Sequence, residues 1–223
     1  MNKPVIAIDG FSSTGKSSIS KIIAKRLGIV HLDTGALYRG ITWFAIQNCI
    51  DDDQKINLEE LFASFKLINL EFRNDEGELV LYLNHINVSK EIRTKEVADH
   101  VSFIAKQKEV RDFLLETQQS LALKGGIIMD GRDIGTVVLP NADYKFFLTA
   151  SIDERSRRRY MEMICLGMTT DLETVKENLI TRDKIDSERE IAPLKKADNA
   201  IEIDNTSLNK NETIEKILSF IKK

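Results

Sequence analysis

Val5-Ile6-Ala7-Ile8-Asp9-Gly10-Phe11-Ser12-Ser13-Thr14-Gly15-Lys16-Ser17-Ser18 is the stretch on which the fold turns. Residues 10–17 read G-x-x-x-x-G-K-S without a mismatch. An apolar run precedes them and an amphipathic run, Ser18 to Leu27, follows. That order is strand, glycine loop, helix, the context a phosphate-binding loop requires. Gly10 and Gly15 let the backbone curl so that successive N–H groups converge on phosphate oxygens. A helix starting near Lys16 adds its positive end. Lys16 is placed for the β- and γ-phosphates and the Ser17 hydroxyl for Mg²⁺. The loop therefore assigns Gly10, Phe11, Ser12, Ser13, Thr14, Gly15, Lys16, Ser17 and Ser18 to a nucleoside triphosphate. It does not say what is done with it.

Outward from the loop, Ile19, Ile22, Ile23 and Leu27 recur at helical spacing, and Gly28 is a C-terminal stop. Gly126–Met129, Tyr144–Leu148 and Ala200–Ile203 repeat the short apolar pattern of Val5–Ile8, and Ile29–Leu32 makes a fifth strand. Helical stretches separate them, so the chain is α/β with a doubly wound, parallel, five-stranded sheet. Ser151 and Glu154 suit a capping box for a helix through Tyr160. One segment breaks the alternation. Leu67–Arg73 and Leu79–Leu83 read as strands around the turn Asn74-Asp75-Glu76-Gly77, with Val88 in a third. This small antiparallel sheet is inserted where an acceptor-binding lobe can hang.

Composition narrows the classes. A chain of 223 residues with 42% hydrophobic content builds a full core. A net charge of −3 supplies no general attraction to nucleic acid or anionic membrane. There is no apolar run long enough to span a bilayer. Met1-Asn2-Lys3-Pro4 leads straight into the first strand without a secretory signal. Cys49 and Cys165 have no metal or redox spacing and read as reduced thiols of a cytoplasmic protein. His31, His85 and His100 form no sequence cluster.

Three charged constellations remain. Leu32-Asp33-Thr34-Gly35-Ala36-Leu37-Tyr38-Arg39 ends a strand and opens a helix, with Thr34 a candidate cap and Arg39 in reach of an anion. Asp130-Gly131-Arg132-Asp133 follows another strand and places Asp130 where a Mg²⁺-side carboxylate lies. Arg155-Ser156-Arg157-Arg158-Arg159 is a dense cationic turn in which Arg155, Arg158 and Arg159 share one helix side. Such a run commonly forms a solvated helix face; as a lid, it would supply positive charge to the equatorial oxygens of a phosphoryl group in transfer. Arg182, Asp186 and Arg189 fall at i, i+4 and i+7. One triphosphate does not need so many arginines. The surplus suggests a second phosphorylated substrate, whose phosphate oxygen is already an anionic nucleophile and needs no general base. Positioning and charge neutralisation are then the protein's work.

Taken together, IDGFSSTGKSS, LDTGALYRG, NVSKEIRTKEVADHVS, EVR, DGRDIGTVVLP, ERSRRRY and RDKIDSEREIAPL resemble, in order and over nearly the whole chain, the bacterial cytidylate kinase family. The loop departs from the family's glycine-proline-rich version at Phe11 and Thr14. The resemblance implies a P-loop kinase that passes the γ-phosphoryl group of ATP to CMP or dCMP with Mg²⁺. It implies one domain, 1–223, with a core of 1–35, 110–150 and 195–223, an acceptor-binding insertion of about 36–109 and a lid of about 151–190. Ser102, Arg111 and Asp133 would read the cytosine; Arg39, Arg132 and Arg189 would hold the acceptor phosphate; Arg182 and Asp186 the sugar, with Thr34 and Tyr38 in the same site. An Asp accepting from the cytosine amino group beside a donating Arg suits that base. Lys16, Arg132, Arg155, Arg159 and Arg189 are the expected catalytic cations. Arg158 is expected at ATP, Ser17 and Asp130 at the metal, and the residues around Asn205 and Thr206 beside the adenine.

The expected partners are small molecules only, ATP and CMP or dCMP, with no nucleic acid and no membrane, and the expected state is a monomer. Another small-molecule P-loop kinase is the nearest rival reading, and a nucleotide-dependent switch protein or a nucleic-acid motor are more distant ones. Asn209-Lys210-Asn211-Glu212 lacks the Asp of a guanine-reading motif and reads as a helix lead-in.

Overall fold

The computed structural model describes residues 3–75 and 78–221. The chain runs through β1 (Val5–Gly10), α1 (Lys16–Leu27), β2 (Val30–Asp33), α2 (Thr34–Asn48) and α3 (Leu58–Ala63). It continues through β3 (Leu70–Asp75), β4 (Glu78–Leu83), β5 (Ile86–Asn87), α4 (Lys95–Ala105) and α5 (Lys108–Ala122). Then come β6 (Ile127–Gly131), β7 (Tyr144–Thr149), α6 (Ile152–Cys165), α7 (Leu172–Glu188), β8 (Ile201–Asp204) and α8 (Lys210–Phe220). By contacts the chain divides into two compact units, residues 1–31 with 124–223, and residues 32–123.

The five-stranded sheet has the order β2-β6-β1-β7-β8. β1 pairs in parallel with both β6 and β7, and β7 with β8. A central strand is covered on both faces, which is why Ile6, Ala7 and Ile8 are an unbroken apolar run and fully buried. Ile19 and Ile23 of α1, Phe146 and Leu148 of β7 and Ile214 and Ile217 of α8 close the same core. Each such side chain stabilises the fold by about 1.5–3 kcal/mol when fully buried. α1 ends as its sequence dictates. Gly28 adopts φ +63° and returns its N–H to the last turn.

The second unit is organised around α2. Leu37, Ile41 and Ala45 are fully buried against Leu81 and Leu83 of β4, Ile104 of α4 and Val110 and Leu114 of α5. β3, β4 and β5 form the antiparallel sheet, with Leu70 opposite Leu83 and Phe72 opposite Leu81. Alternation places Leu81 and Leu83 of β4 inward. Phe65 stacks on Phe113 with centroids 4.6 Å apart.

The structure alters several local expectations. Residues 65–67 form a 3-10 turn, so β3 starts at Leu70 rather than Leu67. The third strand is Ile86–Asn87, and Val88 follows it, donating its N–H to the Leu81 carbonyl. Of the turn 74–77, Glu76 and Gly77 lie outside the described residues, as do Met1 and Asn2 of the N-terminal lead. Thr34 is the first residue of α2 and not its cap; Asp33 precedes it and spends its carboxylate on Arg39 instead. Ser151 caps α6 by accepting from the Glu154 N–H, while the Glu154 carboxylate accepts from Arg157 and Arg158. Asn209 and Glu212 form a complete capping box on α8, as a helix lead-in requires.

Candidate active site

The phosphate loop owes its shape to three residues with positive φ. These are Gly10 at +144°, Ser13 at +62° and Gly15 at +88°. Gly10 crosses β7 so closely that a Cβ there would lie 2.1 Å from the Leu148 carbonyl oxygen. Only glycine fits that crossing. Ser13 has a side chain in the left-handed region, a strain of about 1–3 kcal/mol that persists only where neighbours impose it.

Those neighbours are visible. The Phe11 carbonyl accepts from Lys16 Nζ at 2.6 Å and from Thr14 Oγ1 at 3.0 Å. The Ser12 carbonyl accepts from Arg155 Nη1 at 3.4 Å and the Thr14 carbonyl from Asn205 Nδ2 at 2.9 Å. The Gly15 carbonyl takes the Ser18 hydroxyl at 3.0 Å. With its carbonyls tied off in this way, the loop keeps its N–H groups for an anion, the geometry of a nest. Lys16 is 6% exposed. Burial, reinforced by the Arg132 charge, pushes its ammonium well below the ordinary lysine range, against Asp130, Asp9 and Asp186. An anion beside the ammonium would reverse that balance by giving it a partner.

Beside Lys16, Ser17 Oγ donates to Asp130 Oδ2 at 2.6 Å. His31 Nε2 lies 2.6 Å from the other oxygen, Oδ1, and donates to it when it carries the ring proton. Asp130 is 3% exposed. A buried carboxylate and a hydroxyl are hard oxygen donors, and Mg²⁺ is commonly held by one or two carboxylates with substrate phosphates and water. The pair fits that ion. Among the described residues there is no cage of three His, Cys, Asp or Glu, and this ion does not require one. Asp9, at the end of β1, accepts from the backbone N–H of Ile134 at 2.8 Å and of Gly135 at 2.7 Å. It thereby ties the phosphate-loop strand to the turn that carries Asp133.

The arginines fall into distinct settings. Arg132 donates to Ser12 Oγ at 2.7 Å and to Asp186 Oδ2 at 2.9 Å. Arg155 is buried; it donates to the Ala150 carbonyl at 2.9 Å and to Asp183 Oδ2 at 2.6 Å. Burial raises the Asp183 carboxyl above its usual range, with Arg155 pulling the other way. Arg158 donates to the Asn205 side chain and backbone and to Glu154. Hydrogen bonds from Arg157, then from Arg158, hold the Glu154 carboxyl down at about 2. Arg159 pairs with Glu162 and is half-buried. The shared helix side thus carries three different environments.

A cavity of about 290 Å³ opens next to the loop, lined by Thr14, Gly15, Ser18, Arg157, Arg158, Asn205, Leu208 and Lys210 among others. Asn205 lines it. Thr206 does not; its hydroxyl is engaged with Asp204 and with the Ser151 N–H.

The acceptor candidates occur in both units. In the first, Arg189 Nη2 lies 3.7 Å from Asp133 Oδ1 and Nη1 lies 3.9 Å from Asp186 Oδ1, while Nε donates to the Ala192 carbonyl. Asp133 and Asp186 are buried, and Arg182 sits one turn before Asp186 with its Nε buried. In the second unit, Arg39 pairs with Asp33 at 2.7 Å. Arg111 donates to the Ala105 carbonyl and lies over the Tyr38 ring, 5.3 Å from its centroid. Ser102 and Thr34 are buried there.

Three residues escaped the sequence. His31 and Asp183 touch the key groups across long chain separations, and no local spacing marks either. Asp9 carried a signal, an acid ending an otherwise apolar strand just before the first loop glycine.

The family model described as cytidylate kinase matches residues 6–223. Cytidylate kinases of Bacillus cereus and Bacillus thuringiensis are each 47% identical over 216 residues, covering 97% of this chain and 95% of theirs. A shikimate kinase structure from Bacteroides thetaiotaomicron covers 97% of both chains at 10% identity and a TM-score of 0.48. With a phosphate loop of this geometry and a family match over almost its full length, the chain belongs to the cytidylate kinase family.

Proposed function

We propose that the chain transfers the γ-phosphoryl group of ATP to CMP or dCMP, giving ADP and CDP or dCDP. The observation that carries this reading is the tied-back phosphate loop with Lys16 at its mouth, in a chain matching the cytidylate kinase family over residues 6–223. The acceptor phosphate attacks as an anion, so no general base is needed. The remaining barrier is repulsion between anions and loss of freedom, which fixed cations and a rigid cradle reduce.

In this reading Lys16 leaves the Phe11 carbonyl for the phosphates, and Arg132, Arg155, Arg159 and Arg189 offset charge on the transferred group. Ser17 and Asp130 would hold Mg²⁺, which supplies charge neutralisation on the phosphate oxygens when bound. His31 orients Asp130. Adenine occupies the cavity beside Asn205 and Arg158. Asp133, with Arg111 and Ser102, reads the cytosine; Arg39 binds the acceptor phosphate with Arg132 and Arg189, and Arg182 and Asp186 bind the sugar. Thr34 and Tyr38 complete that site. Residues 1–35, 110–150 and 195–223 act as core, about 36–109 as acceptor lobe, and about 151–190 as a lid that excludes water. The protein works as a cytoplasmic monomer. No helix of the described residues is long and apolar enough to cross a membrane.

The test is a coupled assay of ADP formation with CMP, dCMP, UMP, AMP and GMP. CMP and dCMP should be turned over fastest. Equal turnover of AMP or GMP would reject the reading in favour of another P-loop kinase.

A further inference from the structure

Arg155 is the most buried of the lid arginines, and what places it comes partly from inside the phosphate loop. Its guanidinium carbon sits 5.1 Å from the centroid of the Phe11 ring. The Phe11 ring in turn meets Phe147 of β7 edge to face, with centroids 6.0 Å apart and planes at 79°. Phe147 is buried, so the platform is anchored in the sheet. Around the guanidinium edge, Nε donates to the Ala150 carbonyl, and Nη1 to Asp183 Oδ2 and the Ser12 carbonyl. One face and two nitrogens are thereby fixed. Nη2 is the nitrogen with no hydrogen-bond partner among the described residues, and it remains to meet a phosphoryl oxygen.

The same residue holds a second cation by its backbone. The Phe11 carbonyl is the acceptor for Lys16 Nζ at 2.6 Å. The loop motif itself asks nothing of this position, since it is one of the four unspecified residues between the glycines.

We propose that Phe11 is a positioning residue for phosphoryl transfer, its ring face setting where Arg155 stands over the phosphate loop. The proposal rests on the reading that Arg155 neutralises charge on the transferred group. An aromatic face attracts a guanidinium through its quadrupole, and the attraction strengthens where water is excluded. Leucine fills similar space but offers no such face. The competing account is that Phe11 only packs against Phe147.

The experiment is a double-mutant cycle read by steady-state kinetics with ATP and CMP, on Phe11→Leu, Phe11→Tyr, Arg155→Ala and the Phe11→Leu/Arg155→Ala pair. Phe11→Leu should lower kcat about tenfold with KM for ATP little changed, and Phe11→Tyr should restore it. In the Arg155→Ala background Phe11→Leu should change kcat less than about twofold, because its effect runs through Arg155. An equal loss in both backgrounds overturns the proposal and leaves the Arg155 reading standing. Wild-type kcat in Arg155→Ala overturns the Arg155 reading, and the proposal with it. Should Phe11→Leu fail to fold, the wild-type protein still decides. The Arg155 side-chain protons should be shifted upfield by the ring, and remain so with a bisubstrate analogue bound; loss of the shift on binding overturns the proposal.

Discussion

The phosphate loop and the two candidate acceptor-site arginines of residues 32–123 present their donors in different ways. In the loop the candidate donors are backbone N–H groups. Side chains from Lys16, Arg155 and Asn205 take up its outward carbonyls and leave the N–H groups for phosphate. In the second unit the candidate donors, Arg39 for the acceptor phosphate and Arg111 for the base, are side chains that already have partners within the unit. Arg39 is paired with Asp33, and Arg111 is held by the Ala105 carbonyl beside Tyr38. A backbone site is built by covalent neighbours, so its order precedes the ligand. A side-chain site has partners to exchange, so ligand binding must compete with existing pairs. The donor site should therefore fail in rate when altered, and the acceptor site in selectivity.

Lys16→Ala is the hardest blow to that comparison. The folded variant should lose about 10²–10³-fold in kcat, the scale of removing one preorganised charge donor from a transfer site. Nucleotide binding should persist, because the loop N–H groups are untouched. Near-wild-type turnover in a folded variant would mean that the loop is a binding motif without a catalytic cation.

Asp133→Ala tests the other half. Asp133 is 3% exposed and faces Arg189 at 3.7 Å. If it reads the cytosine amino group, kcat/KM for CMP should fall about 10²-fold while UMP falls much less, since a hydrogen bond to a charged group contributes about 1.5–3 kcal/mol. Uracil presents a carbonyl where cytosine presents the amino donor, and gains nothing from Asp133. Equal losses for CMP and UMP would make Asp133 a brace for Arg189.

The same contrast explains what was legible in the chain. Residues 5–18 declare strand, loop, lysine and helix within one stretch, because a backbone site is written contiguously. The strands at Tyr144 and Ala200 were legible for a related reason, as both read as short apolar runs. Asp133, Arg111 and Ser102 belong to separate segments, and only resemblance to a family grouped them. His31 and Asp183 were missed because their partners, Asp130 and Arg155, are 99 and 28 residues away. Thr34 was misread as a cap because Thr at a strand-to-helix junction usually caps, while here Asp33 occupies that place and its acid is spent on Arg39.

His31→Ala probes a contact that spacing did not reveal. Without the imidazole, one oxygen of Asp130 loses the partner that fixes its orientation. The Mg²⁺ dependence of ATP binding, measured by calorimetry, should weaken by about tenfold, the lower end for partners that orient metal ligands. His31→Gln, which still donates, should recover most of it. An unchanged Mg²⁺ dependence would remove His31 from the donor site.

The effect furthest from the chemistry, read in stability rather than in rate or binding, is also the sharpest in sign. Asp9 joins the β1 end to the turn after Asp133 through two backbone N–H bonds, and those bonds favour the carboxylate. Burial opposes them and is the larger influence, so the pKa rises from 3.8 to about 6, with Asp133 adding to the rise and Lys16 resisting it. A raised folded pKa means that the native state binds the proton more tightly than the unfolded chain. The associated stability is fully present below about pH 3.8 and is lost as the pH rises through about 6. Asp9→Asn cannot titrate, so the difference in unfolding free energy between wild type and variant isolates this group. From pH 4 to 7 the wild type should lose about 1–3 kcal/mol relative to the variant. Chemical denaturation at intervals of half a pH unit would resolve it. A relative gain for the wild type as the pH rises would mean that the two N–H bonds outweigh burial. Asp9 would then join the phosphate loop as a site built by backbone donors, and the contrast between backbone and side-chain binding would extend to the protein's own carboxylates.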